Sequence, residues 1–91
     1  MANIKSAIKR NKQNEKRRLR NRIFRGRART FVRQARRAIE ENDMESARPA
    51  TLEAIRALDK AAEKGVLHKN NAARRKSRLM RSLAALEKDQ A

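Results

Sequence analysis

Residues 24–38 read Phe24-Arg25-Gly26-Arg27-Ala28-Arg29-Thr30-Phe31-Val32-Arg33-Gln34-Ala35-Arg36-Arg37-Ala38, and two patterns are interleaved in them. Phe24, Ala28, Phe31, Ala35 and Ala38 recur at intervals of 4, 3, 4 and 3, which is one face of an α-helix. Starting from residue 18, Arg18, Arg22, Arg25, Arg29, Arg33 and Arg36 follow intervals of 4, 3, 4, 4 and 3. The same helix therefore buries one face and carries a stripe of six guanidinium groups, read here as lying opposite that face. β-Strands have little support, with two valines, no tyrosine or tryptophan and no alternating run.

Working outward, the helical pattern extends over 4–41, roughly 57 Å at 1.5 Å per residue. Two breaks follow. Around 42–49, Asn, Asp, Ser and Pro cluster; Ser46 is the expected cap of a second helix, with Pro49 in its first turn. Around 65–71, Gly65 suits a left-handed helix end closed by Val66 and Leu67, and Asn70 is the expected cap of a third helix. The second helix is placed at 50–64 and the third at 71–88. Leu52, Ile55, Leu58 and Ala62 give the second an apolar face. Ala72, Leu79, Leu83 and Leu86 do so for the third, with Met80 at its edge and Met44 and Met80 read as core fillers. The fold class is all-α: a three-helix bundle whose long first helix extends beyond it. One domain spans 1–91, with the bundle at 19–88 and an extension at 1–18. Residues 9–18 contain nothing to bury, and a helix that is polar all round needs an external partner.

Charge names the kind of partner. The 91 residues hold 26 Lys and Arg against 10 Asp and Glu, a net +16. Residues 1–37 alone hold 15 bases and one acid, whereas 38–65 are net acidic and 66–91 basic again. So many uncompensated charges on one helix destabilise it until counter-charge arrives, and a polyanion supplies it. Arginine grips phosphate through parallel N–H bonds, and Arg74, Arg78 and Arg81 form a matching edge on the third helix. Asn11, Asn14, Asn21, Asn70 and Asn71 could reach sugars or base edges. Glu53, Arg56, Lys60 and Glu63 read as an ordinary solvated face of the second helix. Ile, Leu, Val and Phe total only 16 residues, so the bundle is expected to be marginally stable and 1–18 to be ordered by nucleic acid.

Other chemistry lacks its residues. There is no cysteine and a single histidine, so no metal or cofactor site is expected. The only two glycines cannot form a phosphate-cradling loop. The acids Glu40, Glu41, Asp43 and Glu45 form a solvated run and not an acid–base pair, so no catalytic residue is expected and the chain is not read as an enzyme. No apolar run approaches the roughly 18 residues of a membrane span, and the basic N-terminus lacks a signal-peptide core. Both Phe residues lie on the apolar face, which argues against stacking on splayed bases and for backbone and shape recognition. On residues alone the choice between RNA and a nucleoid-type DNA-architectural protein stays open, and a peripheral membrane helix is a third reading. His68 reads equally as a loop or capping residue and as an RNA contact. Gly26 reads either as neutral or as a point of close approach by RNA or another backbone.

Three stretches in order carry a resemblance. They are Ala2-Asn3-Ile4-Lys5-Ser6-Ala7-Ile8-Lys9-Arg10, then Asn14-Glu15-Lys16-Arg17-Arg18-Leu19-Arg20-Asn21, then Leu58-Asp59-Lys60-Ala61-Ala62 with Gly65-Val66-Leu67-His68-Lys69-Asn70 and Ala72-Ala73-Arg74-Arg75-Lys76-Ser77-Arg78-Leu79. Over nearly the whole chain the sequence resembles the ribosomal protein S-twenty family of the bacterial small subunit. Because the resemblance begins at residue 2, it argues against a transit peptide. It implies a cytoplasmic protein, monomeric within the small ribosomal subunit. It further implies binding to the 5′ domain of 16S ribosomal RNA, with contact to the 3′ minor domain, early in assembly. By similarity Lys5, Lys9, Arg10, Lys16, Arg17, Arg18, Asn21, His68, Lys69, Asn70, Arg74, Lys76 and Arg78 face RNA. With Lys12, Asn14, Arg22, Arg25, Arg29 and Arg75 they complete the set of RNA-binding candidates. No cofactor, metal, membrane or small-molecule substrate is implied.

Overall fold

In the computed structural model, which describes residues 2–90, the first helix α1 spans Ala2–Glu40 without interruption. It is followed by α2, Met44–Glu63, and α3, Lys69–Gln90; there is no strand among the described residues. The Cα atoms span 70 × 20 × 14 Å, and their radius of gyration is 18.0 Å, against about 12 Å for a globular chain of this length. A rod with a bundle at one end accounts for the difference. From Ile4 to Arg20 every residue is exposed, and the first buried residue of α1 is Ala28.

The bundle closes on small side chains. Ala28, Val32 and Ala35 of α1 meet Ala54, Leu58 and Ala61 of α2 and Ala72 and Leu79 of α3. A second cluster, Ala38, Ala47 and Leu86, with Leu83 and Met44 packed on it, seals the end near the α1–α2 turn. Seven of the eleven buried apolar residues are alanine. Alanine costs no side-chain entropy and favours helix, but its methyl group buries little area. The larger buried side chains are Leu58, Val32, Leu79 and Leu86, and half-buried Phe24, Phe31, Ile39, Leu67 and Leu83 add to them.

Several sequence expectations need correction. On α2 the buried face is Ala47, Thr51, Ala54, Leu58 and Ala61, at intervals of 4, 3, 4 and 3. Leu52, expected in the core, is 50% exposed, because the face that lets helices approach is the one made of small residues. Met80 is likewise 56% exposed and fills nothing. Val32, absent from the expected face, is buried beside Ala28 and Ala35.

The helix ends also differ. The second helix begins at Met44, six residues before the expected position, because Asp43 and not Ser46 is the cap. Asp43 is extended, and its carboxylate accepts both the Ser46 backbone N–H at 3.4 Å and the Ser46 hydroxyl at 2.8 Å. Pro49 then sits inside α2 on an exposed face, forfeiting the single bond its missing N–H would have given the carbonyl of Glu45. Helix α1 ends in a left-handed residue that was not foreseen, Asn42 at φ 58°. Its N–H donates to the carbonyl of Ile39 and that of Asp43 to Ala38. Gly65, at φ 73°, ends α2 as expected. There the N–H groups of Val66 and Leu67 donate to the carbonyl of Ala61, and both side chains pack on the core.

Candidate nucleic-acid interface

The arginine stripe forms because α1 is uninterrupted through its repeat: 3.6 residues per turn stacks side chains three and four apart. Arg18, Arg22, Arg25, Arg29, Arg33 and Arg36 are all exposed. The stripe does not lie opposite the buried face, as expected, but flanks it. At about 100° per residue its centre is roughly 90° around the helix from that of Ala28, Val32 and Ala35. Val32, buried beside Ala28 and Ala35, brings the edge of the buried face closer to the arginines. One groove joins Arg29, Val32, Arg33 and Arg36 to Arg75 of α3, and a second joins Arg36 to Arg78, Arg81 and Ser82. The stripe therefore continues from the rod across the edge of α3 as one basic surface. Toward the N-terminus a third groove is lined by Asn14, Arg17, Arg18, Asn21, Arg22, Arg25, Gly26 and Arg29.

None of these stripe arginines is neutralised within the molecule. The ion pairs among the described residues are Arg37–Glu41, Arg48–Glu87, Arg56–Glu53 and Lys76–Asp59, none of which includes a stripe arginine. A row of guanidinium groups at about one per 5 Å of helix, interrupted by an acid only where Glu40 lines its C-terminal groove, is a surface for phosphates.

The other candidates fall in three places. Lys5, Lys9, Arg10, Lys12, Asn14, Lys16 and Arg17 are exposed along the free part of the rod, on several of its faces. His68, Lys69 and Asn70 are exposed where α2 turns into α3. This turn lies at the base of the rod, because the adjoining Leu67 lines one crevice with Arg25, Arg29 and Arg75. On α3, Arg74 and Arg75 both donate to the side-chain oxygen of Asn71, at 3.4 and 3.0 Å, so Asn71 orients arginines. Lys76 is drawn to α2, where its Nζ meets Asp59 Oδ1 at 2.9 Å. Its charge is thus shared, unlike that of Arg78, for which no such partner is found.

The role of His68 within the protein is a helix cap. Its Nδ1 accepts the Asn70 backbone N–H at 3.1 Å and its carbonyl accepts that of Ala72 at 3.0 Å. The cap therefore lies two residues before Asn70, where it was expected. Accepting at Nδ1 places the neutral ring's proton on Nε2, which points a donor outward. Gly26 has no protein atom within 4 Å of where a Cβ would sit, so no packing contact requires glycine there. Sequence reasoning missed one feature: Ile4, Ile8, Leu19 and Ile23 are all about half exposed on the rod, where the focus on charge hid them. No helix is long and apolar enough to cross a membrane, and the described residues hold no cluster of three metal-ligating side chains.

Comparison with known proteins bears on this surface. The profile of the family described as Ribosomal protein S20 matches residues 2–84. A small ribosomal subunit protein bS20 from Thermomicrobium roseum is 53% identical over 88 residues, covering 97% of this chain and 89% of the relative. The bS20 of Streptomyces griseus is 53% identical over 87 residues, covering 96% and 99% of the two chains. That of Cutibacterium acnes is 55% identical over 86 residues, covering 94% and 98%. With a match spanning rod, turn and bundle alike, the chain belongs to the ribosomal protein S20 family.

Proposed function

We propose that this chain is a structural constituent of the small ribosomal subunit that binds 16S ribosomal RNA directly. On this reading it holds the 5′ domain, touches the 3′ minor domain and stabilises RNA folding during assembly in the cytoplasm, as a monomer without cofactor or catalysis. The single observation that supports it is the unpaired arginine stripe of α1 continuing over α3. Phosphate-bearing helices repel, and a cationic rod between them cancels that repulsion along its length. Segment 1–18 is then an arm that RNA orders, and 19–88 is the bundle that positions it. Family membership supplies the choice of RNA over DNA.

Hydroxyl-radical footprinting of naked 16S ribosomal RNA with the full chain tests the reading. Protection is expected in the 5′ domain together with a patch in the 3′ minor domain. If about ten phosphates are neutralised, log K falls against log salt with a slope of roughly −7 to −9. Competition by duplex DNA as effective as by the RNA domain would refute it.

A further inference from the structure

We infer that the cleft between α1 and α2 receives one unpaired RNA base, stacked on Phe24. This rests on the RNA-binding reading and goes beyond it, since the stripe grips backbone and carries no base recognition. The sequence places both rings wholly in the core. In the structure each is only half-buried: one side packs on the core cluster and the other lines an open cleft of about 250 Å³. That volume is below the roughly 300–1,000 Å³ of drug-sized sites and suits a single planar group. The cleft lies on the far flank of α1 from the arginine stripe, so it is a separate surface.

Its rim sets the charge of the occupant. Arg27, Arg56 and Lys60 surround the rings with Glu53 as the sole acid. Glu53 is already engaged by Arg56, Oε1 to Nη1 at 3.1 Å. The Arg27 guanidinium lies 5.9 Å from the centre of the Phe24 ring, a flat cation over a flat π-face. An exposed arginine of this length swings easily, and a base can take its place or lie between the two. An apolar peptide side chain would fill the floor but leave the cations unanswered. A phosphate alone would answer the cations but leave the rings wet. An unpaired nucleotide does both, with its base on the aromatic ring and its flanking phosphates on the rim.

The test uses the full chain bound to 16S ribosomal RNA, with Phe24→Leu as the variant. Leucine keeps an apolar side chain against the core and removes the π-face. Affinity is measured by filter binding, and base accessibility by chemical probing of the RNA. Binding is expected to weaken at least about fivefold. One unpaired nucleotide, protected in the wild-type complex, should become reactive while backbone protections and salt slope stay unchanged. Binding within twofold of wild type overturns the inference, and so does a loss with no single-nucleotide change. If the variant fails to melt cooperatively, ultraviolet cross-linking of the wild-type complex decides. An adduct on Phe24 supports the cleft, and adducts confined to other residues overturn it. Wild-type binding indifferent to salt would instead remove the RNA-binding reading beneath it.

Discussion

Replacing Arg22, Arg25 and Arg29 together by glutamine removes the middle of the stripe and little else. All three are exposed, none is in an ion pair, and glutamine matches arginine closely in helix propensity. The six stripe arginines span 19 residues of α1, a rise of about 27 Å, so a phosphate within reach of each is a geometric expectation. Each neutralised phosphate contributes roughly 0.7 to 0.9 to the slope of log K against log salt. The triple variant should therefore flatten that slope by about 2 to 3 units. At about 0.15 M salt this amounts to roughly a hundredfold weaker binding, and the two lines converge near 1 M, where the counterion term vanishes. Fluorescence anisotropy with a labelled 16S fragment, titrated from low to high potassium chloride, reads both quantities. The control is Arg37→Gln with Arg48→Gln, whose side chains already face Glu41 and Glu87 at 3.3 and 3.1 Å. It should alter the slope by less than one unit. A triple variant that keeps helicity and the wild-type slope would refute the stripe, and a control as damaging per charge would show that only total charge matters.

Further outcomes follow from the bundle. Leu58→Ala empties a fully buried site at the centre of an alanine-rich core and should cost about 2 to 5 kcal/mol, enough to abolish a cooperative thermal melt of the free chain. Thr51→Val should raise stability by about 1 kcal/mol in the same melt, because the Thr51 hydroxyl is buried without a partner. His68→Ala should lose the cap, about 1 kcal/mol, and His68→Asn should restore stability. If RNA affinity follows stability through both variants, His68 acts through the cap; if His68→Asn restores the melt but not the affinity, the ring touches RNA. Amide hydrogen exchange of the free chain should be fast over residues 4–18 and slow around Leu58, and strong protection of that arm would show that it holds its helix without RNA.

The number of helices, their order and the projecting rod were legible because intervals of three and four residues and runs of uncompensated charge are properties of sequence alone. Gly65 was legible for a related reason: a left-handed turn strongly favours glycine. The packing face of α2 was not, since Leu52 looks more apolar than Thr51, and only the distance between helices decides which one is enclosed. The start of α2 was hidden by Pro49, which reads as an early-turn residue but is tolerated further in where its face is exposed. On the candidate interface, the stripe itself was visible. Its continuation onto Arg75, Arg78 and Arg81 needed the relative placement of α1 and α3. The half-open rings of Phe24 and Phe31 needed it too, because periodicity identifies an apolar face without saying where that face ends.

The preponderance of alanine among the enclosed residues has a geometric result. Methyl-sized contacts bring helix axes close, and the Cα atoms span only 14 Å through the thinnest dimension. A bulkier filling would make a stouter and more self-sufficient object, but it would also act as a spacer. Slimness lets the protein slip into a crevice between larger bodies and press cations on both walls at once.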